Sequence, residues 1–201
     1  MAFDTYMQFK DSKGAWLNGE SQVVISGDKP LGTDIPQGNV FEIDDFSFDI
    51  EQVLNIGSSS SGAGAGKVTF NPFQITRKSD RASPKLFMMC CTGEHFQMVS
   101  LYLRRAGGQG GIGGGATASS GFTFLRYDFA LVAVKTISWS GSDGDEAMKE
   151  EVTFEYGALQ IQYVQQNADG TPMTSATGKT MGSWNRVNNN ASFSSAGITA
   201  T

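Results

Sequence analysis

Nucleophilic hydrolysis needs a base beside the nucleophile, and this chain of 201 residues carries one histidine, His95. That leaves little material for a Ser-His-Asp or Cys-His arrangement, and no Gly-x-Ser-x-Gly elbow occurs. The two cysteines, Cys90 and Cys91, are adjacent. One histidine with two neighbouring thiols makes a poor zinc site, and adjacent cysteines do not form a structural staple. Both read as filling space on a short packed helix. Paired carboxylates are present at Asp44-Asp45 and Glu150-Glu151, with an acidic loop of Asp143, Asp145 and Glu146. Two of these could in principle serve glycosidic cleavage. Adjacent acids on a strand point to opposite faces, however, and acidic loops are usually solvated. Neither glycine-rich run ends in the Gly-Lys-Ser/Thr of a phosphate-binding loop, and the acidic loop lacks the full calcium pattern. The expectation is a protein with no catalytic residues, no cofactor and no bound metal.

Composition narrows the partners. Charged residues make up 17% of the chain, below the usual quarter, and hydrophobic residues 39%. A thinly charged surface is often covered by partners, although 25 glycines and many small polar residues also dilute charge. The net charge is −5, with 15 basic residues scattered among 20 acidic ones. Phosphate binding needs clustered cations, so nucleic acid is not expected as a partner. Met1-Ala2-Phe3-Asp4-Thr5 lacks the basic and apolar segments of a signal peptide, and no apolar stretch is long enough to span a bilayer. Synthesis in the cytoplasm without membrane insertion is expected.

Period-two patterns dominate the chain. Strands are expected near 3–9, 40–50, 68–76, 96–104, 122–139 and 151–166, with a short edge strand at 21–25 in an otherwise polar 14–39. The apolar parity changes between Phe41, Ile43 and Phe46, Phe48, Ile50, and again between Val152, Phe154, Tyr156 and Leu159, Ile161, Tyr163. Side chains alternate faces along a strand, so each change implies a bulge or bend, near Asp44-Asp45 and at Gly157-Ala158. Two corners favour a small barrel. In 122–139, Leu125, Tyr127, Phe129, Leu131, Ala133, Ile137 and Trp139 fall on one face. One helix is signalled at about residues 84–92, with Ser83 as N-cap, Pro84 at its first position and Gly93 as its stop. The expected fold is mainly β: a small β-barrel of two packed antiparallel sheets with one short α-helix. It forms a single domain over 1–185, with a polar C-terminal tail at 186–201. Glycine-rich loops interrupt it near 57–66 and 107–121. The second reads as a flexible connection, and composition allows the same of the first.

An ordered series of segments resembles the haemolysin-coregulated protein (Hcp) family, the inner-tube subunits of bacterial type VI secretion. The series begins with Met1-Ala2-Phe3-Asp4-Thr5-Tyr6 and Gly62-Ala63-Gly64-Ala65-Gly66-Lys67-Val68. It continues with Asp80-Arg81-Ala82-Ser83-Pro84-Lys85-Leu86, Cys91-Thr92-Gly93-Glu94-His95-Phe96 and Leu101-Tyr102-Leu103-Arg104-Arg105. It ends with Glu151-Val152-Thr153-Phe154, Ile161-Gln162-Tyr163, Asn167-Ala168-Asp169-Gly170 and Gly182-Ser183-Trp184-Asn185. The resemblance implies hexameric rings that stack into a hollow tube. Sheath contraction expels the tube, which carries a spike at its tip, rests on baseplate components and holds small effectors in its lumen. It also implies a cytoplasmic protein secreted without a signal peptide. The run Gly57-Ser58-Ser59-Ser60-Ser61-Gly62-Ala63-Gly64-Ala65-Gly66 corresponds to the family's extended loop, which reaches a neighbouring subunit or ring. Ser47 and Ser142 align with lumen-facing places. The insert at 107–121 is longer than the family's usual turn. Two other functions remain open on the residues: a tail-tube protein of a phage-like contractile injector, and a monomeric lectin-like barrel stacking sugars on Trp16, Trp139 or Trp184.

Overall fold

A computed structural model describes residues 3–25, 31, 35, 38–55, 64–105, 121–168, 170–173, 175 and 178–193, with the side chains of 53–55 and 64–67 left aside. Ten strands and one helix are described. They are β1 (Phe3–Asp11), β2 (Phe41–Glu42), β3 (Asp45–Ser47), β4 (Ile50–Asn55), β5 (Gly64–Phe70), β6 (Phe73–Lys78), α1 (Ser83–Thr92), β7 (His95–Arg105), β8 (Phe122–Ser140), β9 (Lys149–Val164) and β10 (Lys179–Asn185). Eight strands form one antiparallel sheet in the order β2-β1-β7-β8-β9-β6-β3, with β10 also on β9, while β4 and β5 form a separate two-stranded sheet.

The eight-stranded sheet curls until its ends meet. β2 pairs with β1 at one end and β3 with β6 at the other, and only Ile43 and Asp44 lie between them. The Ile43 amide donates to Thr5 O at 3.1 Å and the Asp44 amide to Thr76 O at 2.9 Å, so consecutive residues stitch opposite edges together. The parity change expected near Asp44-Asp45 is this crossing point. The result is the expected mainly β barrel, although its second sheet is a narrow ribbon.

The second corner is broader than the sequence pattern suggests. Leu131 takes φ 50°, the left-handed region that leucine rarely adopts, and Gly157 lies opposite it between the pairs Ala130↔Ala158 and Val132↔Tyr156. Both strands change face at this level. Phe129 is in the core before it, Val132 and Val134 after it, while on β9 the core side passes from Phe154 and Tyr156 to Leu159. The single face expected for Leu125 to Trp139 is therefore interrupted, and a further register shift follows between Val134 and Thr136. Gly157 makes the approach close: an added Cβ would lie 3.2 Å from Leu131 Cβ and 3.4 Å from Val187 Cγ2, so those side chains would have to give by a few tenths of an ångström. Trp139, expected in the core row, ends up 42% exposed against Phe87.

Aromatic rings fill the interior. Phe73 stacks on Phe129 at 4.6 Å, and Phe48 meets Phe73, Tyr127 and Phe129 edge-on. Tyr156 is almost fully buried beside Phe129, yet its hydroxyl has no hydrogen-bond partner. Burial pushes its pKa up to about 12 from the ordinary 10.0. The polar stretch expected at 14–39 also contributes apolar side chains. Ile25 and Ile35 pair by a single bridge rather than an edge strand, and with Val40 they pack on Tyr102.

One helix packs Leu86 and Met89 into the core, as expected, with Cys90 half-buried and Cys91 exposed. Gly93 ends it at φ 70°, donating its amide to Met89 O at 3.1 Å. Ala82 takes the N-cap place expected for Ser83, because Asp80 Oδ1 accepts from the Ala82 amide at 2.8 Å and frees Ser83 to begin the helix. Ser83 Oγ instead accepts from the Asp80 amide and from Arg77 Nη2.

Arg77 joins helix entry to barrel. Its Nε donates to Glu150 Oε1 at 2.8 Å and its Nη2 to Asp80 Oδ1 at 2.7 Å, while Trp139 Nε1 donates to Glu150 Oε2 at 2.8 Å. Arg77 and Glu150 are 2% and 0% exposed, so neither charge has water to fall back on. Glu150→Ala leaves the buried guanidinium with Asp80 as its remaining carboxylate partner and strips the Trp139 indole of its acceptor; it should cost roughly 3 kcal/mol, read as a lower urea midpoint at fixed protein concentration. Tyr156 generates a pH prediction with a definite sign. Its raised folded pKa contributes stability that is complete below about pH 10 and lost as pH climbs through about 12. Wild-type thermal midpoints should fall across that window, and Tyr156→Phe, which removes an orphaned hydroxyl, should flatten the fall.

Candidate functional site

The residues singled out for catalysis do not converge. Glu150 is committed to Arg77 and Trp139, whereas its neighbour Glu151 is exposed on the other face. Asp44 and Asp45 are exposed, and Asp45 Oδ1 accepts from the Phe46 amide. Asp143, Asp145 and Glu146 are exposed on the β8–β9 turn, where Asp145 Oδ2 accepts from the Ser142 amide at 2.7 Å. Among the described residues no group of three or more His, Cys, Asp or Glu is placed to hold a metal ion. No helix among them is long and apolar enough to cross a membrane.

What stands out is an arm. The ladder joining β3 to β6 does not stop at the barrel wall. Asp45↔Thr76 and Ser47↔Gln74 are followed by Ile50↔Phe70, Gln52↔Val68 and Asn55↔Gly64. Residues 45–55 and 64–76 are thus one long hairpin, rooted in the barrel as β3–β6 and leaving it as β4–β5. Its elbow is pinned where Asn71 donates its amide to Asp49 O at 3.1 Å and its Nδ2 to Asp49 Oδ2 at 2.6 Å. Six residues of β4 at about 3.3 Å each carry it about 20 Å.

This arm revises the first glycine-rich segment. Gly64, Ala65 and Gly66 are strand, with Ala65 opposite Leu54 and Gly64 opposite Asn55. The expected strand at 68–76 begins earlier and is broken at the elbow, which makes β5 and β6 separate. Gly57, Ser58, Ser59, Ser60, Ser61, Gly62 and Ala63 lie outside the described residues, as does most of 107–121. Gly121 is described, with its O accepting from Arg104 Nη2 at 2.6 Å.

A cleft of about 650 Å³ separates the arm root from the barrel. Val68 and Phe70 line its arm side, and Leu131, Tyr156, Trp184 and Arg186 its barrel side. Arg186 lies 5.6 Å from the Phe70 ring centroid and 5.5 Å from that of Tyr156, a guanidinium wedged between arm and body. Its Nη1 also donates to Tyr156 O at 2.7 Å. Burial raises the Glu155 carboxyl, but hydrogen bonds and charges from Lys135 and Arg186 outweigh it and hold the group below its ordinary value. Sequence reasoning missed Arg186 and Phe70, which are far apart in the chain. The Gly-Ala-Gly-Ala-Gly alternation was the available sign of strand.

Ser47 is exposed on β3 opposite Gln74, and Ser142 is exposed on the β8–β9 turn. The three tryptophans do not form one sugar platform. Trp184 lines the arm cleft, Trp16 lies under Lys10 Nζ at 5.3 Å, and Trp139 is held by Glu150.

Comparison with known proteins agrees with this architecture. A structure described as that of a type six secretion system protein aligns at TM-score 0.72 and 25% identity, covering 95% of this chain and 100% of the other. Hcp1 from Salmonella typhimurium has the same fold, at TM-score 0.59 and 23% identity over 94% of this chain and 99% of its own. Protein hcp1 of Pseudomonas aeruginosa is 32% identical over 104 residues, which cover 52% of this chain and 58% of that relative's length. The family described as "Type VI secretion system effector, Hcp" matches residues 6–163. Through a match of that extent on a barrel of this form, the chain belongs to the Hcp family of type VI secretion.

Proposed function

We propose that the chain is a non-enzymatic building block of the type VI inner tube, assembling as hexameric rings that stack around a hollow lumen. Sheath contraction expels the tube with its spike from a baseplate, and small effectors travel within it. The observation that carries this reading is the arm. A two-stranded ribbon is marginal in water on its own, and β4–β5 leaves the barrel with glycines in place of large side chains along part of one strand. Such a ribbon gains stability by laying its backbone against another surface, and family membership makes a second copy the natural one. The segment 57–66 then serves as the contact with a neighbouring subunit or ring. Ser47 and Ser142, both exposed, face the lumen.

Light scattering after size-exclusion chromatography should give about six times the chain mass of 21.5 kDa, and negative-stain electron microscopy should show annular particles. A monomer at high concentration overturns the reading; a monomer that also binds glycans in a screen would point to the lectin-like alternative. Shortening the arm should separate assembly from folding. With residues 56–63 replaced by an Asn-Gly turn, the hairpin can still close. That variant should keep the wild-type circular dichroism spectrum yet lose the annular particles.

A further inference from the structure

Among the described residues, four buried side-chain polar atoms lack a hydrogen-bond partner, and two of them belong to residues lining the arm cleft: Tyr156 Oη and Trp184 Nε1. Tyr156 is 3% exposed. Besides burial, the charges felt at its hydroxyl are those of Arg186 and Glu155, which also line the cleft, and of Asp49 at the elbow of the arm. The hydroxyl thus lies among the charged groups of the cleft. Both atoms are donors, and a buried donor without an acceptor is costly to keep. The cost is recovered when an acceptor arrives.

The surroundings select the kind of acceptor. Glu155 accepts from Lys135 Nζ at 2.9 Å and from Arg186 Nη1 at 3.4 Å, and Asp49 Oδ2 accepts from Asn71 Nδ2 at 2.6 Å. A carboxylate entering the cleft would meet two carboxylates, and the nearest cation, Arg186, is already engaged. A neutral carbonyl meets no such repulsion. Val68, Phe70 and Leu131 add an apolar wall, so the cleft of about 650 Å³ pairs a mostly apolar lining with a few polar groups, as ligand pockets do. A polypeptide carries neutral carbonyls directly beside apolar side chains and suits both halves of this lining.

We infer that the cleft binds an apolar stretch of polypeptide, whose side chain packs on Val68, Phe70 and Leu131 and whose main-chain carbonyls accept from Tyr156 Oη and Trp184 Nε1. The Phe70 ring, which meets Tyr156 edge-on at 6.2 Å, moves aside to admit it. The site stands on the cleft itself and does not require the tube reading.

The full chain labelled with fluorotryptophan should give three fluorine resonances, one for each tryptophan, assigned with Trp16→Phe, Trp139→Phe and Trp184→Phe. Titration with N-acetyl-phenylalaninamide should shift the Trp184 resonance saturably and leave the other two in place. Tyr156→Phe keeps the ring and removes the donor, so it should weaken the amide roughly three- to tenfold. Toluene, an aromatic ring without a carbonyl, should bind more weakly than the amide and equally to both proteins; in the wild type alone this comparison still decides the matter if Tyr156→Phe fails to fold. Assembly that itself shifts the Trp184 resonance and shuts out the amide assigns the polypeptide to a second copy, whereas a response to the amide in assembled particles assigns it to a separate chain. A Trp184 resonance that answers to neither, amide binding untouched by Tyr156→Phe, or toluene binding as tightly as the amide overturns the site. Annular particles with a silent Trp184 leave the tube reading intact, and a responsive Trp184 without annular particles leaves the cleft site intact.

Discussion

Two neighbouring amide groups hold this barrel shut. The sheet's first edge offers Thr5 O and its last edge offers Thr76 O, and the chain satisfies them with the successive amides of Ile43 and Asp44. A seven-strand path that failed to meet there would leave two edges unpaired and open the aromatic interior to water. Closure also decides where the arm begins. Once Asp44 has crossed to the β6 edge, β3 has a direction, and β4 can only prolong it outward. The arm is therefore an extension of a wall strand rather than a loop hung on the wall.

That continuity bears on energetics. The arm root is held by Phe70 against Tyr156 and by the Arg186 guanidinium against both rings, so the first turns of the ribbon share the stability of the barrel. Farther out the ribbon passes into Gly64-Ala65-Gly66, and glycine loses more chain entropy on ordering than any other residue.

Much of the barrel was legible in the sequence, because burial on one face of a strand leaves a period-two trace. The parity changes located both corners, at Asp44-Asp45 and Gly157-Ala158. Capping residues located the helix to within a position; the N-cap was misassigned because a carboxylate three residues upstream competes with Ser83 for the same role. Less legible were features created by pairing. The left-handed Leu131 answers to Gly157, 26 positions away, and has no local signature. Trp139 kept the parity of a core residue but lies past two shifts of face, so its side chain emerged beside Phe87. The glycine-rich run read as a loop because small residues carry no face, yet its partner β4 makes part of it a strand. The candidate site was legible as a segment and as a family resemblance, and illegible as an arm with a cleft at its root.

The distribution of exposed apolar side chains fits an object with more than one kind of neighbour. Ile50 on β4 and Met181 on β10 are exposed, whereas Phe87 and Trp139 touch each other where α1 meets the end of β8, with Met148 close to Gly141 on the adjoining turn. Trp139 is suited to packing against a partner surface. Its indole nitrogen is satisfied by Glu150, whose charge is held by Arg77, so the ring is fixed in orientation before any partner arrives. An aromatic surface already ordered loses little entropy on binding. The ion pair that secures the helix therefore also prepares the face beside it.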